Sequence, residues 1–248
     1  RNIGHQKAIA IGMAYIKENY SCDKVLIMDC DGEDRPEDAA TLLQESLSNP
    51  GVIIFARRKS RQEGNRFRFF YGLYKRVFRM LTGKKIAFGN FLVMPKNLLD
   101  KAVYYSEIWN HIAGGILKAP LPYLAVATHR GKRYAGSSKM GFTSLLIHGL
   151  GAIAVFIDVI ASRLLLFSLL LIGISLLAIL ALFGIRTFTD WAIPGWTSTV
   201  ASAMLIILLQ SFLLSLFTIF LYLSSQSQRK FIPAQHYKDY TGTVETIE

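Results

Sequence analysis

The sequence predicts an α/β domain followed by a membrane hairpin, and three observations support this fold class. Helical and strand patterns alternate near the start of the chain, the excess positive charge lies before residue 140, and two long apolar segments follow residue 163. The chain has 28 Lys and Arg against 17 Asp and Glu, and residues 1–139 hold 23 of these bases and 12 of the acids. The remainder is neutral and apolar, as expected of a segment surrounded by lipid.

The first part of the chain shows alternating elements. Helical periodicity covers residues 6–19 and 36–47, and the second helix has Pro36 in its first turn. Residues 24–28 and 52–56 are short apolar runs typical of buried strands. The alternation predicts an α/β fold with a parallel sheet. Because the chain opens in a loop that leads to a helix, we expect that a first strand and a nucleotide-binding turn are missing. The chain is then a fragment, or it takes this half from elsewhere.

A strongly basic stretch follows the second strand. Residues 57–85 contain eleven Lys and Arg and one acid, Glu63, and such a density repels itself unless an anionic partner lies nearby. Nucleic acid, anionic lipid headgroups and a lipid phosphate all qualify, and the membrane segments favour the two lipid partners. Residues 67–81 have the pattern of an amphipathic helix with an aromatic and a basic side. This pattern fits a helix on a bilayer surface and a core-packed helix equally well.

Two apolar segments predict a transmembrane hairpin. Residues 164–185 carry no charge over 22 positions, and residues 199–223 add 25 with Gln210 as the strongly polar exception. Each can cross a hydrocarbon core of about 30 Å. Basic flanks place both ends of the hairpin, and both chain termini, in the cytoplasm. Polar residues and glycines before the hairpin favour interfacial helices over a third span. The predicted parts are a partial catalytic domain at 1–139, interfacial helices at 140–162, the hairpin at 163–224 and a cytoplasmic tail at 225–248.

The most informative polar residues follow the first predicted strand. Asp29 and Asp31 form a D-x-D at the end of that strand, where ligands of α/β proteins bind. Two carboxylates offer hard oxygen ligands to Mg²⁺ or Mn²⁺, and such a cation neutralises the charge that develops on a leaving diphosphate. The alternative is a solvated acidic loop that stabilises the next helix. The strand-end position favours the metal site.

Two arginines are candidate phosphate ligands. Arg57 follows the second predicted strand, and a guanidinium can bind phosphate oxygens bidentately; the alternative is a basic surface turn. Arg133 lies in the Gly/Ser-rich segment 130–139, which suits phosphate binding. The same segment also serves as the positively charged flank of the hairpin, and both roles are compatible.

Two further pairs have weaker signals. Glu107 and His111 are placed one helical turn apart and are a candidate acid–base pair, although such a pair is more often structural. Cys22 and Cys30 flank one strand with no metal-ligand spacing, which indicates free thiols in a reducing compartment.

Taken together, these motifs resemble the family-2 glycosyltransferases, and most closely the dolichyl/polyprenyl-phosphate sugar transferases. Residues 25–37 match the family's apolar strand followed by D-x-D-x-Q-x-x-P-E. Other matches follow in the family's order: Arg1-Asn2-x-Gly4, Phe55-Ala56-Arg57, Gly89-Asn90-Phe91, Arg130-x-x-Arg133-x-x-Gly136-x-Ser138-Lys139, and the two-span tail.

The resemblance implies an N-terminally truncated GT-A (Rossmann-like) domain at the cytoplasmic face of the bacterial inner membrane. Such a domain binds a nucleotide-sugar with Mg²⁺ or Mn²⁺ and transfers the sugar, with inversion, to a polyprenyl (undecaprenyl or dolichyl) phosphate. Its partners are membrane lipids and these two substrates, without nucleic acid, and it is compatible with a homo-oligomer. The implied residues are Asp29, Asp31 and Glu33 at the metal, Asp29, Asp31, Arg57, Arg133 and Ser138 at the substrates, and Asp31, Arg57 and Arg133 in catalysis.

Two departures from the family pattern leave alternatives open. Glu33 stands where the family usually has Gln and adds negative charge beside the cation, and Asn90 replaces a common Asp. With the first strands absent, a truncated, non-catalytic interaction or regulatory protein is the main alternative. A different metal-dependent phosphoryl enzyme is a third.

Overall fold

The computed structural model describes residues 2–58, 65–85, 88–129, 131, 133–135, 142–189, 195–227 and 230–242. The chain forms two compact units. The first combines Arg1–Phe156 with Lys230–Glu248, and the second is Ile157–Arg229. The segment after the second unit therefore returns to the first.

The first four elements of the first unit alternate between helix and strand as the sequence predicts. Its strands are β1 (Lys24–Ile27), β2 (Ile53–Arg58), β3 (Leu92–Pro95) and β4 (Tyr123–Thr128). Its helices are α1 (His5–Asn19), α2 (Pro36–Ser48), α3 (Asn65–Thr82), α4 (Lys96–Ala102), α5 (Ile112–Lys118), α6 (Phe142–Ala154) and α9 (Pro233–His236), with 3-10 turns at Ser106–Trp109 and Tyr237–Asp239. The second unit contains α7 (Ile157–Phe188) and α8 (Trp196–Ser227).

The sheet is mixed, so the prediction of a parallel sheet is wrong for one strand. Its order is β1-β3-β2-β4; β2 and β4 are parallel, whereas β3 is antiparallel to both β1 and β2. A parallel connection needs a crossover helix that packs back along the sheet. The helix between β2 and β3 is α3, which packs against α6. The chain consequently re-enters the sheet from the end at which β2 finished.

Alternating side chains of the strands fill two apolar layers. In β2, Ile53 and Phe55 face a core that includes α1, while Ile54 and Ala56 face a second core with Leu42 of α2. This period of two is the expected pleat of a strand. The sheet is therefore covered by helices on both faces.

Helix α3 packs into the α/β unit, which agrees with the core-packed alternative, while a bilayer-surface role stays a prediction. Phe78 is fully buried and packs edge-on against Phe156, with ring centroids 5.7 Å apart. The Tyr74 hydroxyl donates a hydrogen bond to the carbonyl oxygen of Gly149 in α6 at 3.1 Å. Other large apolar side chains of α3 and α6 are exposed: Phe70, Leu73 and Met80 in α3, and Leu146, Ile147 and Leu150 in α6.

The segment that follows the second unit is fixed to the first by aromatic packing. Phe231 stacks on Trp109 with ring centroids 3.7 Å apart, and Tyr237 is buried beside Tyr15. The Ala234 amide also donates a hydrogen bond to the carbonyl oxygen of Val103 at 3.1 Å. Residues 230–242 are thus an integral part of the α/β unit.

Helices α7 and α8 pack as a pair through small side chains. Each has 32 residues, and only 11% and 17% of their most apolar segments are buried, unlike the core helix of a water-soluble protein. The buried positions include Ser168 and Ser175 in α7 and Ser211 and Ser215 in α8. The Ser168 and Ser215 hydroxyls donate hydrogen bonds to carbonyl oxygens of their own helices at 2.8 and 2.9 Å. Small residues with internally bonded hydroxyls allow close packing of apolar helices.

Candidate active site

Three strands end at the same edge of the sheet. Because β1 and β2 are both antiparallel to β3, and β4 is parallel to β2, the carboxyl ends of β1, β2 and β4 share one edge. The D-x-D follows β1, Arg57 lies at the end of β2 and Arg133 follows β4. Ligands of α/β proteins bind at this kind of edge.

Hydrogen bonds from backbone N–H groups to carboxylate side chains fix the acidic loop that contains the D-x-D. Asp34 is only 4% exposed, and its Oδ2 accepts the backbone N–H of Asp29 at 3.0 Å. Asp31 Oδ1 accepts the backbone N–H of Glu33 at 2.9 Å. Gly32 between them has φ of 91°, a left-handed conformation that favours glycine. The loop shape is therefore set by Asp31, Gly32 and Asp34 together.

The loop after β4 docks against this acidic loop through its backbone. The Gly131 N–H donates to the Glu33 carbonyl oxygen at 2.9 Å, and the Tyr134 N–H donates to the Asp31 carbonyl oxygen at 3.0 Å. A Cβ on Gly131 would lie 2.2 Å from the Gly32 carbonyl oxygen, so no side chain fits there. Only glycine allows the two loops to approach this closely.

Arg133 bridges two carboxylates of the acidic loop. Its Nη2 lies 3.0 Å from Asp31 Oδ2, and its Nε lies 2.8 Å from Glu33 Oε1. The Glu33 side chain is 11% exposed, whereas those of Arg133 and Asp31 are 30% and 31% exposed. Such charge-assisted hydrogen bonds are stronger than neutral ones, especially where water is partly excluded. Two of the predicted cation ligands, Asp31 and Glu33, and the predicted phosphate ligand Arg133 thus form one cluster.

Three residues that position these loops were not predicted as site residues. Asp34 holds Asp29, Gly131 permits the loop contact, and Asp38 Oδ2 accepts the backbone N–H of His129 at 3.3 Å. The spacing of Asp31, Asp34 and Asp38 around a helix start was visible in the sequence, but it equally suits favourable charges at a helix N-terminus. Gly131 lies in the Gly/Ser-rich segment that the sequence singled out for phosphate binding, but its close approach to Gly32 had no signal in the sequence.

The oxygen ligands of the acidic loop suit a hard divalent cation that is shared with a substrate. Among the described residues, no three His, Cys, Asp or Glu side chains are grouped to hold a metal ion. Mg²⁺ usually keeps several waters and binds one or two carboxylates plus substrate phosphates, so a complete protein cage is not required. Asp29 and Asp31 fit this mode, and Mg²⁺ or Mn²⁺ remains a prediction.

The remaining predicted site residues are less constrained. Arg57 is exposed at the penultimate position of β2, where it can reach a ligand at the sheet edge. Ser138, together with Arg130, Lys132 and Lys139 of the same motif, lies outside the described residues. Their roles stay predictions.

The structure supports the structural role that the sequence favoured for Glu107 and His111, because the 3-10 turn that holds Glu107 ends at Trp109, before His111. Glu107 lies in a 3-10 turn and pairs with Lys118 at 3.3 Å. His111 has extended backbone and caps α5, since its Nδ1 accepts the backbone N–H of Gly114 at 3.0 Å. Burial, together with the nearby His148, lowers the pKa of His111 to about 3. His111 is a neutral structural cap.

A groove lies elsewhere on the α/β unit. A space of about 670 Å³ runs between α1 and the edge strand β1, and its lining includes Tyr15, Ile16 and Leu26. None of the predicted site residues lines it. We therefore place the candidate site at the strand ends, where charged groups converge, rather than in this groove.

The mixed α/β unit with its small sheet, together with two long apolar helices, is compatible with the predicted architecture, while a GT-A fold remains a prediction. No profile of a known protein family matches the chain. The chain is similar to the uncharacterized glycosyltransferase YkcC of Bacillus subtilis (strain 168), with 26% identity over 211 residues. The match covers 83% of this chain and 63% of that relative, so the chain spans less than two thirds of the relative's length. The similarity supports a glycosyltransferase family.

Proposed function

We propose that this chain carries the catalytic loops and the membrane anchor of a glycosyltransferase that transfers a sugar from a nucleotide-sugar to a polyprenyl phosphate. The observation that carries the proposal is the joining of the D-x-D loop to the arginine loop at one edge of the sheet. A cation site suits a donor diphosphate, and a guanidinium suits an acceptor phosphate. Here both groups lie within one cluster. The named relative supports sugar transfer in general.

The chemistry that this cluster suits is a single inverting displacement. A phosphate oxygen of the acceptor attacks the anomeric carbon, and the bond from that carbon to the donor diphosphate breaks on the opposite side. The nucleoside diphosphate leaves with the bonding electron pair. A phosphate acceptor is already anionic, so the reaction needs no strong general base. This agrees with His111 having a structural rather than a basic role.

Charged side chains of the chain supply the positioning. Arg57 and Arg133 would hold phosphate oxygens, since each can offer paired N–H donors. Asp29 and Asp31 would hold Mg²⁺ or Mn²⁺, which when bound neutralises the leaving diphosphate. Most of the rate enhancement would come from the placement of the two substrates and from stabilisation of the charge on the leaving diphosphate.

Exposed apolar side chains support a location at a lipid surface. Leu73 and Met80 of α3, with Ile147 of α6, are 47%, 70% and 64% exposed, although each is large and apolar. The cations Lys75, Arg76 and Arg79 are exposed on the same α3 helix. Apolar side chains beside cations suit the boundary of an anionic bilayer. We propose that α7 and α8 span the bacterial inner membrane, with the α/β unit and both termini in the cytoplasm.

The proposal is tested with the purified full-length protein in lipid nanodiscs. A panel of labelled nucleotide-sugars is supplied with undecaprenyl phosphate and Mn²⁺, and label entering the lipid fraction is counted. We expect transfer from at least one donor, its loss in chelator, and its loss in Asp31→Ala with normal expression and insertion. Undiminished transfer by Asp31→Ala in metal-free buffer refutes the D-x-D assignment.

The competing proposal of a non-catalytic interaction protein gives a different result in the same assay. It predicts no transfer from any donor.

A further inference from the structure

We infer that Arg133 is the resident counter-ion of the acidic loop, and that a divalent cation displaces it from Asp31 and so frees its guanidinium for a phosphate group. The inference rests on the proposed function, because it concerns the order in which that site is filled. It adds that binding of the cation and binding of the acceptor phosphate affect each other through Arg133.

The contacts of Asp31 show why the Arg133 guanidinium and a divalent metal ion compete for its carboxylate. Its Oδ1 already accepts the Glu33 N–H at 2.9 Å, and its Oδ2 faces Arg133 Nη2 at 3.0 Å. A metal ion binds a carboxylate oxygen at roughly 2.1 Å. A dication at Oδ2 would therefore lie within a few ångströms of the guanidinium, where like charges repel strongly in a partly buried site. Binding of the dication weakens or breaks the Arg133 contact.

Only the Arg133 side chain has to move. The backbone on either side of it is fixed by Gly131 N–H to the Glu33 carbonyl and by Tyr134 N–H to the Asp31 carbonyl, at 2.9 and 3.0 Å. The side chain itself is 30% exposed, so solvent-side space is available for another rotamer. The arginine loop can thus remain docked while the guanidinium changes partners.

Glu33 strengthens the hold of the acidic loop on Arg133 when no divalent cation is bound. Its carboxylate is mostly buried and accepts Arg133 Nε at 2.8 Å. A glutamine, which the resembling family usually has here, offers one neutral acceptor and no ionic attraction. Glu33 is therefore a positioning residue that keeps Arg133 over the acidic loop until a cation arrives.

The expected consequence is positive coupling between two ligands. A cation on Asp31 releases Arg133 for a phosphate, and a phosphate on Arg133 removes the competitor of the cation. By linkage the two effects must be equal in size. The cation site is then filled before, or together with, the acceptor phosphate.

Mn²⁺ binding measures this competition without any turnover. We compare wild type, Arg133→Gln and the control Arg35→Gln by titration calorimetry of the full chain in nanodiscs. Arg35 lies in the same loop region, but its guanidinium pairs with Glu37 at 3.2 Å, so the control removes the same charge without freeing Asp31. We expect Arg133→Gln to bind Mn²⁺ roughly tenfold or more tightly, the scale of a charge-assisted hydrogen bond, and Arg35→Gln to change by less than about threefold.

A second titration tests the coupling. Geranyl phosphate, a soluble phosphate monoester, should tighten Mn²⁺ binding to wild type and leave Arg133→Gln unchanged. Equal Mn²⁺ affinity in wild type and Arg133→Gln overturns the inference but leaves the proposed function standing. Coupling that persists in Arg133→Gln also overturns it, because the phosphate then acts through the metal directly. If no variant binds Mn²⁺, the inference and the proposed cation site both fail.

Discussion

Gly131→Ala is expected to disable the site without touching a predicted ligand. The added Cβ would lie 2.2 Å from the Gly32 carbonyl oxygen, so the loops must separate by roughly 1 Å to reach van der Waals contact. That separation strains the Gly131–Glu33 backbone hydrogen bond of 2.9 Å and pulls Arg133 away from Asp31. Misplacement of this size costs about a hundredfold in rate for well-positioned groups.

A second glycine provides the matched control. Gly12 lies inside α1, and a Cβ there meets nothing within 4 Å. Gly12→Ala should leave transfer unchanged and stabilise the fold by about 0.5–1 kcal/mol, because alanine is favoured in a helix interior. The same substitution is thus neutral or beneficial where space is open and damaging where the loops meet.

The assay combines rate and stability. Sugar transfer is measured in nanodiscs at a temperature where thermal unfolding curves show both variants folded, and the Gly131→Ala curve should shift by no more than about 1–3 kcal/mol of overpacking. Transfer by Gly131→Ala within a factor of about three of wild type would refute the reasoning, since the loop contact would then be irrelevant to catalysis.

Three further outcomes are expected. Arg133→Lys keeps the charge but loses the guanidinium fork, so transfer should fall roughly tenfold. Recovery by excess polyprenyl phosphate assigns Arg133 to the acceptor, whereas recovery by excess nucleotide-sugar assigns it to the donor. Full activity of the variant contradicts a phosphate role. With both native cysteines replaced, Ser198→Cys should react with an impermeant thiol reagent from outside. In a second protein, in which only Cys22 is replaced, the exposed native Cys30 should react only after permeabilisation. The reverse pattern contradicts a cytoplasmic site. The pKa of His111 is about 3 in the fold, below its ordinary value of 6.5, so the unfolded chain takes up the proton first as the pH falls. The free energy of unfolding should therefore decrease as the pH drops from 6.5 towards 3, by roughly 2 kcal/mol at pH 5. His111→Asn keeps a cap acceptor and should flatten this loss in pH-dependent unfolding curves; parallel curves would contradict it.

Local patterns predicted the elements that local forces determine. Residues 6–19 and 36–47 were predicted as helices and are observed as His5–Asn19 and Pro36–Ser48, because their apolar spacing and the N-terminal proline act within a few turns. The direction of β3 was not predictable, because it depends on where α3 packs. A sequence of strands and helices does not state which surface a connecting helix will cover.

In the candidate site, too, the local features were predictable from the sequence and the contacts between distant residues were not. The D-x-D was found because its two carboxylates are adjacent to a strand end. The pairing of Glu33 with Arg133 joins residues one hundred positions apart, and a single sequence gives no signal for that distance. The sequence predicted Arg133 as a phosphate ligand, and the structure adds that its resting partners are carboxylates. Both statements hold if the guanidinium exchanges one partner for the other.

The connectivity of the two units restricts how the chain can lie in a membrane. Residues before α7 and residues after α8 belong to the same α/β unit, and the second segment is held there by the stacking of Phe231 on Trp109. If only one of the two apolar helices crossed a bilayer, this unit would be divided between its two sides, and the stacked rings could not meet. Both helices must therefore cross, or neither does. The charge asymmetry of the flanks then selects the side, since Lys and Arg are retained in the cytoplasm. If both helices cross, as we propose, these two arguments together predict an outside location for Ser198, at the start of α8.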